Sequence, residues 1–177
     1  MTNWVREHMK AWQYPADIKE TELAYLAGII DGEGAISIHA HTKRHRTKAR
    51  KGEPYKILQP VTHIYNTNTV LMDWLCNRIG FRMNSRDRRK ARTSYQVIVS
   101  GYRTYSLLTP LLPYLIAKRP LALLLLEYTE IRATRSDTEH NPSYGQREVE
   151  IWQTLQEMNW KKFDPFVVRD YPNMSTT

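Results

Sequence analysis

The sequence predicts an α+β fold in which a duplicated αββ unit forms an αββαββα core. This core has an antiparallel sheet with helices on one face, plus a C-terminal helix. Apolar residues recur at helical spacing before residue 31, two later stretches alternate with a period of two, and each follows a predicted helix. The 177 residues fit one domain of ordinary size. We place it at 17–133, between an N-terminal extension (1–16) and a C-terminal helix and tail (134–177).

The first αββ unit starts with a helix after Asp17, because Asp17 followed by Glu20 has the spacing of a capping box. We expect Gly32 and Gly34 to end this helix. Residues 35–41 then alternate between apolar and polar side chains, as in a strand with one buried face. Residues 55–65 are predicted to pair with that strand, and the basic stretch 43–51 is the loop between them.

The second unit repeats this order. Residues 66–68 resemble a helix cap, residues 69–79 form a helix that ends at Gly80, and residues 81–100 form another hairpin. A helix over 104–116, interrupted by Pro110 and Pro113, and a strongly apolar helix over 120–133 come next. After a polar loop at 136–145, residues 146–159 form the last helix.

The charge of the chain indicates a polyanionic partner. Lys and Arg total 26 against 18 acids, which gives a net charge of +8 and favours nucleic acid. A merely basic soluble protein is the alternative on charge alone. The single cysteine, Cys76, excludes an internal disulfide and is expected to be a buried, inert thiol in a reducing compartment. No stretch is typical of a signal peptide or a membrane span, so we expect an intracellular protein.

Residues 26–34, with the sequence LAGIIDGEG, are the most informative stretch. An apolar helix ends on Asp31, and Glu33 follows between two glycines. Two carboxylates therefore lie at the negative end of a helix, where a compensating cation is expected. The Glu33 carboxylate and the neighbouring carbonyl of Gly32 offer the hard oxygen ligands that Mg²⁺ prefers. An acid in a surface turn is the alternative for Glu33 taken alone.

This stretch resembles the nine-residue signature of the LAGLIDADG homing endonucleases, with Glu33 where the signature has Asp. The resemblance includes the αββαββα order, the NTN turn at 66–68 and PYLIAK at 113–118, and it covers most of residues 17–133. It implies an intron-encoded, single-motif, homodimeric enzyme that binds DNA on an antiparallel, saddle-shaped sheet and cuts both strands. It also implies that Glu33 and the Gly32 carbonyl bind the metal, and that Asp31 caps the helix and supports the dimer interface.

Three further residues are candidates for the chemistry. Lys118 lies after an apolar segment, and a lysine near a metal site can stabilise charge on a phosphate or help to activate water. The resemblance also implies a catalytic role for Lys118 and for Asn66, whose amide could orient a water. The alternatives are a solvated lysine and a helix N-cap. Arg119 is a candidate phosphate contact.

The motif occurs once in the chain. One carboxylate cannot hold the two metals of a phosphodiester displacement. We therefore expect the second copy to come from a second subunit, with the apolar helices packed through Ala24, Ala27 and Gly28 and with Asp31 at the same interface. A core helix inside a monomer is the alternative.

The polar strand faces are the candidate DNA-reading surface, because a two-stranded ribbon fits the major groove. A solvated sheet face is the alternative. The candidates on the first strand are Ser37, His39, His41 and Lys43, those on the second are Lys56, Leu58, Pro60 and Thr62, and those on the third are Arg82, Asn84, Arg86 and Arg88. We also assign Arg44, Arg46, Lys48, Gln96 and Arg119 to DNA binding, most of the basic residues through phosphates.

We expect a site-specific double-strand DNA endonuclease that hydrolyses phosphodiesters with Mg²⁺, or with Mn²⁺ as a substitute, at a long, near-palindromic site. It would act as a homodimer without a membrane partner, in an organelle (chloroplast or mitochondrion) or in bacterial or phage cytoplasm. The alternative is a non-cleaving nucleic-acid-binding protein of the same fold, either an intron RNA maturase with RNA as partner or a transcriptional regulator. A basic structural protein of the ribosome is a weaker third hypothesis.

Overall fold

The computed structural model describes residues 13–43, 55–86, 93–134 and 143–160. Its elements are α1 (Glu20–Glu33), β1 (Gly34–Lys43), β2 (Tyr55–Asn66), α2 (Thr69–Ile79), β3 (Met83–Arg86), β4 (Ser94–Ser100), α3 (Arg103–Leu108), a 3₁₀ turn (Thr109–Leu111), α4 (Arg119–Thr134) and α5 (Gln146–Trp160). The four strands form one antiparallel sheet in the order β1-β2-β4-β3. The hairpins of the two αββ units therefore meet through β2 and β4, and the predicted α+β class is confirmed.

The sheet has a buried inner face and a polar outer face, because successive side chains of a strand point to opposite sides. Ile36 and Ile38 of β1 are fully buried on the inner face, where Ile64 pairs with Val97, and all four belong to the core shared with the helices. Residues of the other parity form the outer face, which we define as Ala35, Ser37, His39, His41, Ile57, Gln59, Val61, His63, Tyr65, Asn84, Ser94, Gln96, Ile98 and Ser100.

Helix α1 begins two residues later than the capping box of the sequence predicts. Its N-cap is Lys19, whose backbone N–H donates to the Glu22 carboxylate (2.9 Å). The Asp17 carboxylate instead accepts a hydrogen bond from Arg78 of α2 (2.9 Å), which also binds Glu22. The predicted box is wrong because this cation from a distant helix takes Asp17.

Two proline-containing segments depart from regular structure. The helix predicted over 104–116 is shorter, since α3 ends at Leu108 and Pro110 lies in the 3₁₀ turn; a proline lacks the N–H that a helix requires. In β2, Pro60 pairs with Ile38 of β1. Its carbonyl accepts the backbone N–H of Gly101 (2.9 Å), where β4 ends.

The C-terminal helices complete the sheet beyond the end of β4. Strand β4 pairs with β2 only from Val61 onward. At Leu58 the backbone carbonyl accepts the Tyr128 hydroxyl (2.8 Å), and the backbone N–H donates to the Tyr144 hydroxyl (2.8 Å). The backbone polar groups of Leu58 thus gain side-chain partners where no strand is available.

Helix α5 lies along β1. Its Gln156 and Asn159 amides donate to the carbonyl oxygens of Ile38 (3.0 Å) and Ile36 (2.9 Å). Ile151 and Leu155 of the same helix are fully buried in the common core. The described part of the chain beyond residue 133 therefore packs as one body with the two αββ units.

The free thiol of Cys76 is half-buried in α2. Burial, assisted by the Asp73 carboxylate, raises its pKa, which is the direction expected of an unreactive thiol. Over the described ranges, no helix combines the length and the apolar character needed to cross a membrane.

Candidate functional site

The C-terminal end of α1 is held by the segment that precedes α4. The Asp31 carboxylate accepts the backbone N–H groups of Ile116 (2.7 Å) and Lys118 (2.8 Å), with a longer bond from Ala117 (3.3 Å). In return, the Lys118 ammonium donates to the carbonyl oxygens of Ile30 (2.8 Å) and Asp31 (2.5 Å). These carbonyls lie in the last turn of α1, the negative end of the helix dipole. Lys118 thus occupies the position of the cation that the sequence leads us to expect there.

Burial and two carboxylates act on Lys118 in opposite directions. Burial lowers the pKa of its ammonium group, Asp31 and Glu33 raise it, and burial has the larger effect. The ammonium therefore releases a proton more readily than that of a solvated lysine. The fold brings Lys118 to the end of α1, although Asp31 precedes it by 87 positions in the sequence.

Glu33 is the last residue of α1, and both it and Gly32 are exposed. The chain passes directly into β1 at Gly34, whose φ of −84° suits any residue. A Cβ at Gly34 would nevertheless lie 2.6 Å from the Ile30 carbonyl oxygen, so only glycine fits this close approach. The tight junction keeps Glu33 at the boundary between helix and sheet.

The described residues of one chain do not assemble a metal cage. No group of three or more His, Cys, Asp or Glu side chains among them is arranged to hold an ion. The two oxygens of Asp31 already accept backbone N–H groups, which leaves Glu33 as the exposed acid of the motif. A metal bound here by one chain would take few protein ligands.

One side of α1 is exposed and lined by small residues. Ala24, Gly28 and Gly32 recur every four positions, and nothing lies within 4 Å of a Cβ added at Gly28 or Gly32. Ala27, which the sequence analysis assigns to the same surface, is fully buried. It faces the core of its own chain beside Ile30, so it has no surface to offer a second subunit.

The outer face carries five of the described candidates for DNA binding. Ser37, His39 and His41 lie on β1, while Asn84 of β3 pairs with Gln96 of β4. No outer-face residue as defined above is an Asp or Glu. A polar sheet face without carboxylates suits contact with a polyanion better than simple solvation.

The predicted matching face of β2 is wrong by one position. Ser37 pairs with Val61 and His39 pairs with Gln59, so the odd-numbered residues of β2 share the outer face. Leu58 and Thr62 lie on the inner face and are buried. Lys56 and Pro60 have the same parity as these two, so the register places them on the inner side as well.

Three histidines and a tyrosine cluster on the outer face. The His39 ring lies 5.0 Å from that of His63 and 5.9 Å from that of His41. Tyr65 stacks on His63, and its hydroxyl hydrogen-bonds to His63 Nδ1 (3.0 Å). Burial, and then the proximity of His41, lower the pKa of His39. His63 and Tyr65 are not predicted from the sequence, because their alternation identifies the outward face only once the register of β2 is known.

The remaining candidates have these locations. The Asn66 side chain accepts the backbone N–H of Asn68 (2.8 Å), and Asn68 is the N-cap of α2, so the Asn66 oxygen is engaged in a local turn. Arg82 and Arg119 are exposed. Arg44, Arg46, Lys48 and Arg88, and the side chains of Lys43 and Arg86, lie outside the described residues.

Comparisons with solved structures identify the architecture. The chain is similar to the group I intron-encoded homing endonuclease I-CeuI complexed with DNA, with a TM-score of 0.52, 14% identity, and coverage of 96% of this chain and 79% of that chain. It is also similar to the I-LtrWI LAGLIDADG homing endonuclease bound to target DNA, with a TM-score of 0.53, 16% identity, and coverage of 79% of this chain and 45% of that chain. The archaeal intron-encoded homing endonuclease I-Vdi141I complexed with DNA gives a TM-score of 0.50, 14% identity, and coverage of 80% of this chain and 99% of that chain.

No family model and no curated protein matches the sequence. The structural likeness therefore rests on backbone arrangement at low identity. Together with the αββαββ order, the antiparallel sheet and the junction from α1 to β1, it establishes that this chain has the fold of the LAGLIDADG homing endonucleases.

Proposed function

We propose that this protein is a site-specific double-strand DNA endonuclease that uses Mg²⁺ and acts as a homodimer on a long, near-palindromic site. The observation that carries the proposal is the end of α1, where Glu33 is exposed and the Lys118 ammonium is held by the carbonyl oxygens of Ile30 and Asp31. A carboxylate for a metal and a cation held beside it are the groups that phosphodiester hydrolysis requires.

The donor atoms at this position suit a hard divalent cation. The Glu33 carboxylate would hold it, together with the Gly32 carbonyl, since the last carbonyls of a helix lack intrahelical donors. A bound Mg²⁺ supplies Lewis acidity and a more acidic bound water. Lys118 holds its ammonium at the helix end through two carbonyls and offers a positive charge toward the scissile phosphate. Asp31 positions Lys118 by accepting its backbone N–H.

A second copy of the chain would complete the site. One chain supplies a single exposed acid of the motif, whereas cutting two strands needs one such group for each strand. The open stripe of Ala24, Gly28 and Gly32 runs along the same helix to Glu33 and allows close packing of two backbones. Tyr25, which follows Ala24 in the chain, is 56% exposed. Ile116, whose N–H binds Asp31 next to Gly32, is 86% exposed. Two-fold packing of α1 on α1 would cover this surface and bring two Glu33 residues near the axis.

The outer face is the proposed DNA surface. It has no carboxylate among its defined residues, and the chain as a whole carries a net charge of +8. I-CeuI and I-LtrWI, which share the fold, are both described as complexed with or bound to DNA. Because the identity to these proteins is low, the DNA sequence that this chain recognises depends on its own side chains.

The test is a selection for cleavage from a pool of duplexes with randomised sequence, using wild type and Glu33→Gln in Mg²⁺ or Ca²⁺. We expect wild type to cut both strands in Mg²⁺ only, and Glu33→Gln to bind the selected duplex without cutting, with a loss of at least about 10²-fold in rate. Mixed dimers of the two proteins should cut one strand, because each Glu33 would serve one strand.

The outcomes separate the candidate functions. Full double-strand cutting by mixed dimers would contradict the assignment of one Glu33 to each strand. Specific binding without cutting by wild type in Mg²⁺ and Mn²⁺ would instead indicate the non-cleaving regulator or the RNA maturase, which a parallel selection from an RNA pool distinguishes.

A further inference from the structure

A pocket of about 800 Å³ lies at one corner of the sheet. Strand β3 begins at Met83, which pairs with Val97, so the last three residues of β4 extend beyond β3 and lack a partner on that side. The chain from Gly80 to Arg82 passes this end of β4, and a concave space lies between that segment, β4 and the start of α3. Arg82, which precedes β3, and Arg103, the first residue of α3, both line the space.

The two arginines of this pocket differ from three ion-paired arginines of the fold. Arg78, Arg132 and Arg147 each form an ion pair with a glutamate. Within the described ranges, Arg82 and Arg103 form no ion pair or hydrogen bond, and no Asp or Glu lines the pocket. Two arginines therefore line one concavity without a counterion among the described residues, which favours an anionic ligand.

The other lining residues limit the kind of anion. Ile98 is 40% exposed and provides an apolar wall, while Asn84 and Ser100 provide neutral hydrogen-bonding groups. A sugar–phosphate backbone has this alternation, with an apolar sugar between charged phosphates. Asn84, Ile98 and Ser100 also belong to the outer face, so the pocket continues the proposed DNA surface at its β3 side.

We propose that this pocket binds the phosphate backbone of one DNA strand, with Arg103 and Arg82 as the phosphate contacts. The proposal rests on the proposed function in that the outer face must bind a duplex. The pocket then contributes affinity and register without reading bases, because a phosphate contact carries no sequence information.

The experiment measures binding to a fluorescent duplex that was selected for binding, in Ca²⁺, over a series of salt concentrations. Arg103→Ala should weaken binding about five- to tenfold at low salt and reduce the slope of log K against log salt by about 0.9. Its discrimination between the selected duplex and single-base variants should equal that of wild type. Lys19→Ala is the matched control, because Lys19 is an exposed cation at the other end of α1 and is absent from the pocket.

A scan of single methylphosphonate substitutions, each of which removes one phosphate charge, identifies the contact. At one or two backbone positions the substitution should weaken binding by wild type. At the same positions it should not further weaken binding by Arg103→Ala. An unchanged salt slope for Arg103→Ala, or equal losses by both proteins at every position, would overturn the pocket assignment while leaving the endonuclease proposal intact. Failure of wild type to bind any duplex would overturn both. Displacement of the duplex by a free mononucleotide from wild type, but not from Arg103→Ala, would assign the pocket to a small ligand instead.

Discussion

The substitution Asp31→Asn tests whether the end of α1 is fixed by the carboxylate that the structure assigns to it. One oxygen of Asp31 accepts the Ile116 N–H at 2.7 Å and the other accepts the Lys118 N–H at 2.8 Å. In asparagine one oxygen becomes an NH₂ group, which would face a backbone donor. One charge-assisted hydrogen bond, worth about 1.5–3 kcal/mol, is then lost, and the other weakens by about 1 kcal/mol as the charge disappears.

A smaller effect acts in the opposite direction. Removing a negative charge from the C-terminal end of a helix stabilises the folded state by about 0.3–1 kcal/mol. The expected net loss is therefore about 2–3 kcal/mol in the free energy of unfolding. With a urea m-value of about 1–3 kcal/mol/M, the midpoint should fall by about 0.7–3 M.

The assay is urea unfolding at one fixed protein concentration, because association of two chains would make the midpoint depend on concentration. Asp73→Asn is the matched control, since Asp73 is an exposed acid within α2. We expect the control to stay within about 0.5 kcal/mol of wild type. A similarly small change for Asp31→Asn would refute the reasoning, because it would mean that water replaces the carboxylate at these N–H groups.

Two further predictions concern Gly34 and His39. Gly34→Ala should lower the free energy of unfolding by about 1–3 kcal/mol, because its Cβ would lie 2.6 Å from the backbone oxygen of Ile30. Gly32→Ala, which meets nothing within 4 Å in its own chain, should not be destabilised when the variants are compared at a protein concentration low enough to keep the chains separate, and equal thermal unfolding of the two variants would contradict this explanation. Since burial and then His41 lower the pKa of His39, the unfolded chain binds more protons there than the folded chain. Stability should fall as pH decreases through about 6.5 toward the lower folded value. His39→Gln should make the urea midpoint less dependent on pH between 7.5 and 5, and a parallel pH profile for wild type and variant would exclude this role.

Local patterns predict those parts of the fold where one residue spacing dominates. Strand β1 alternates cleanly, with Ile36 and Ile38 buried and polar residues between them, so its two faces are correctly predicted. Strand β2 lies between β1 and β4 and is buried on both faces at Val61 and Thr62. Its apolar residues fall at both parities, and the period that would identify the outward face is lost.

The candidate site shows the same limit. The sequence predicts two carboxylates at a helix end and a need for a cation, because the helix dipole and the acids lie close together in the chain. It does not predict that Asp31 binds three backbone N–H groups about 85 positions away, since only the tertiary fold brings the segment before α4 to α1. For the same reason Arg103 is not recognised from the sequence, because the pocket it shares with Arg82 depends on where β3 stops relative to β4.

The hydrogen bonds that two side-chain amides of α5 donate to β1 affect how copies of this protein can associate. Strand β1 is at the border of the sheet, and open carbonyls on such a border can recruit a strand from another molecule. Gln156 and Asn159 already donate to the carbonyls of Ile38 and Ile36, so a neighbouring strand cannot pair there without displacing the helix. Strand addition between identical chains can continue into a fibre, whereas helix-to-helix contact about a two-fold axis ends with two copies. By occupying this border, α5 disfavours open-ended assembly through β1, which is compatible with the closed pair that we propose.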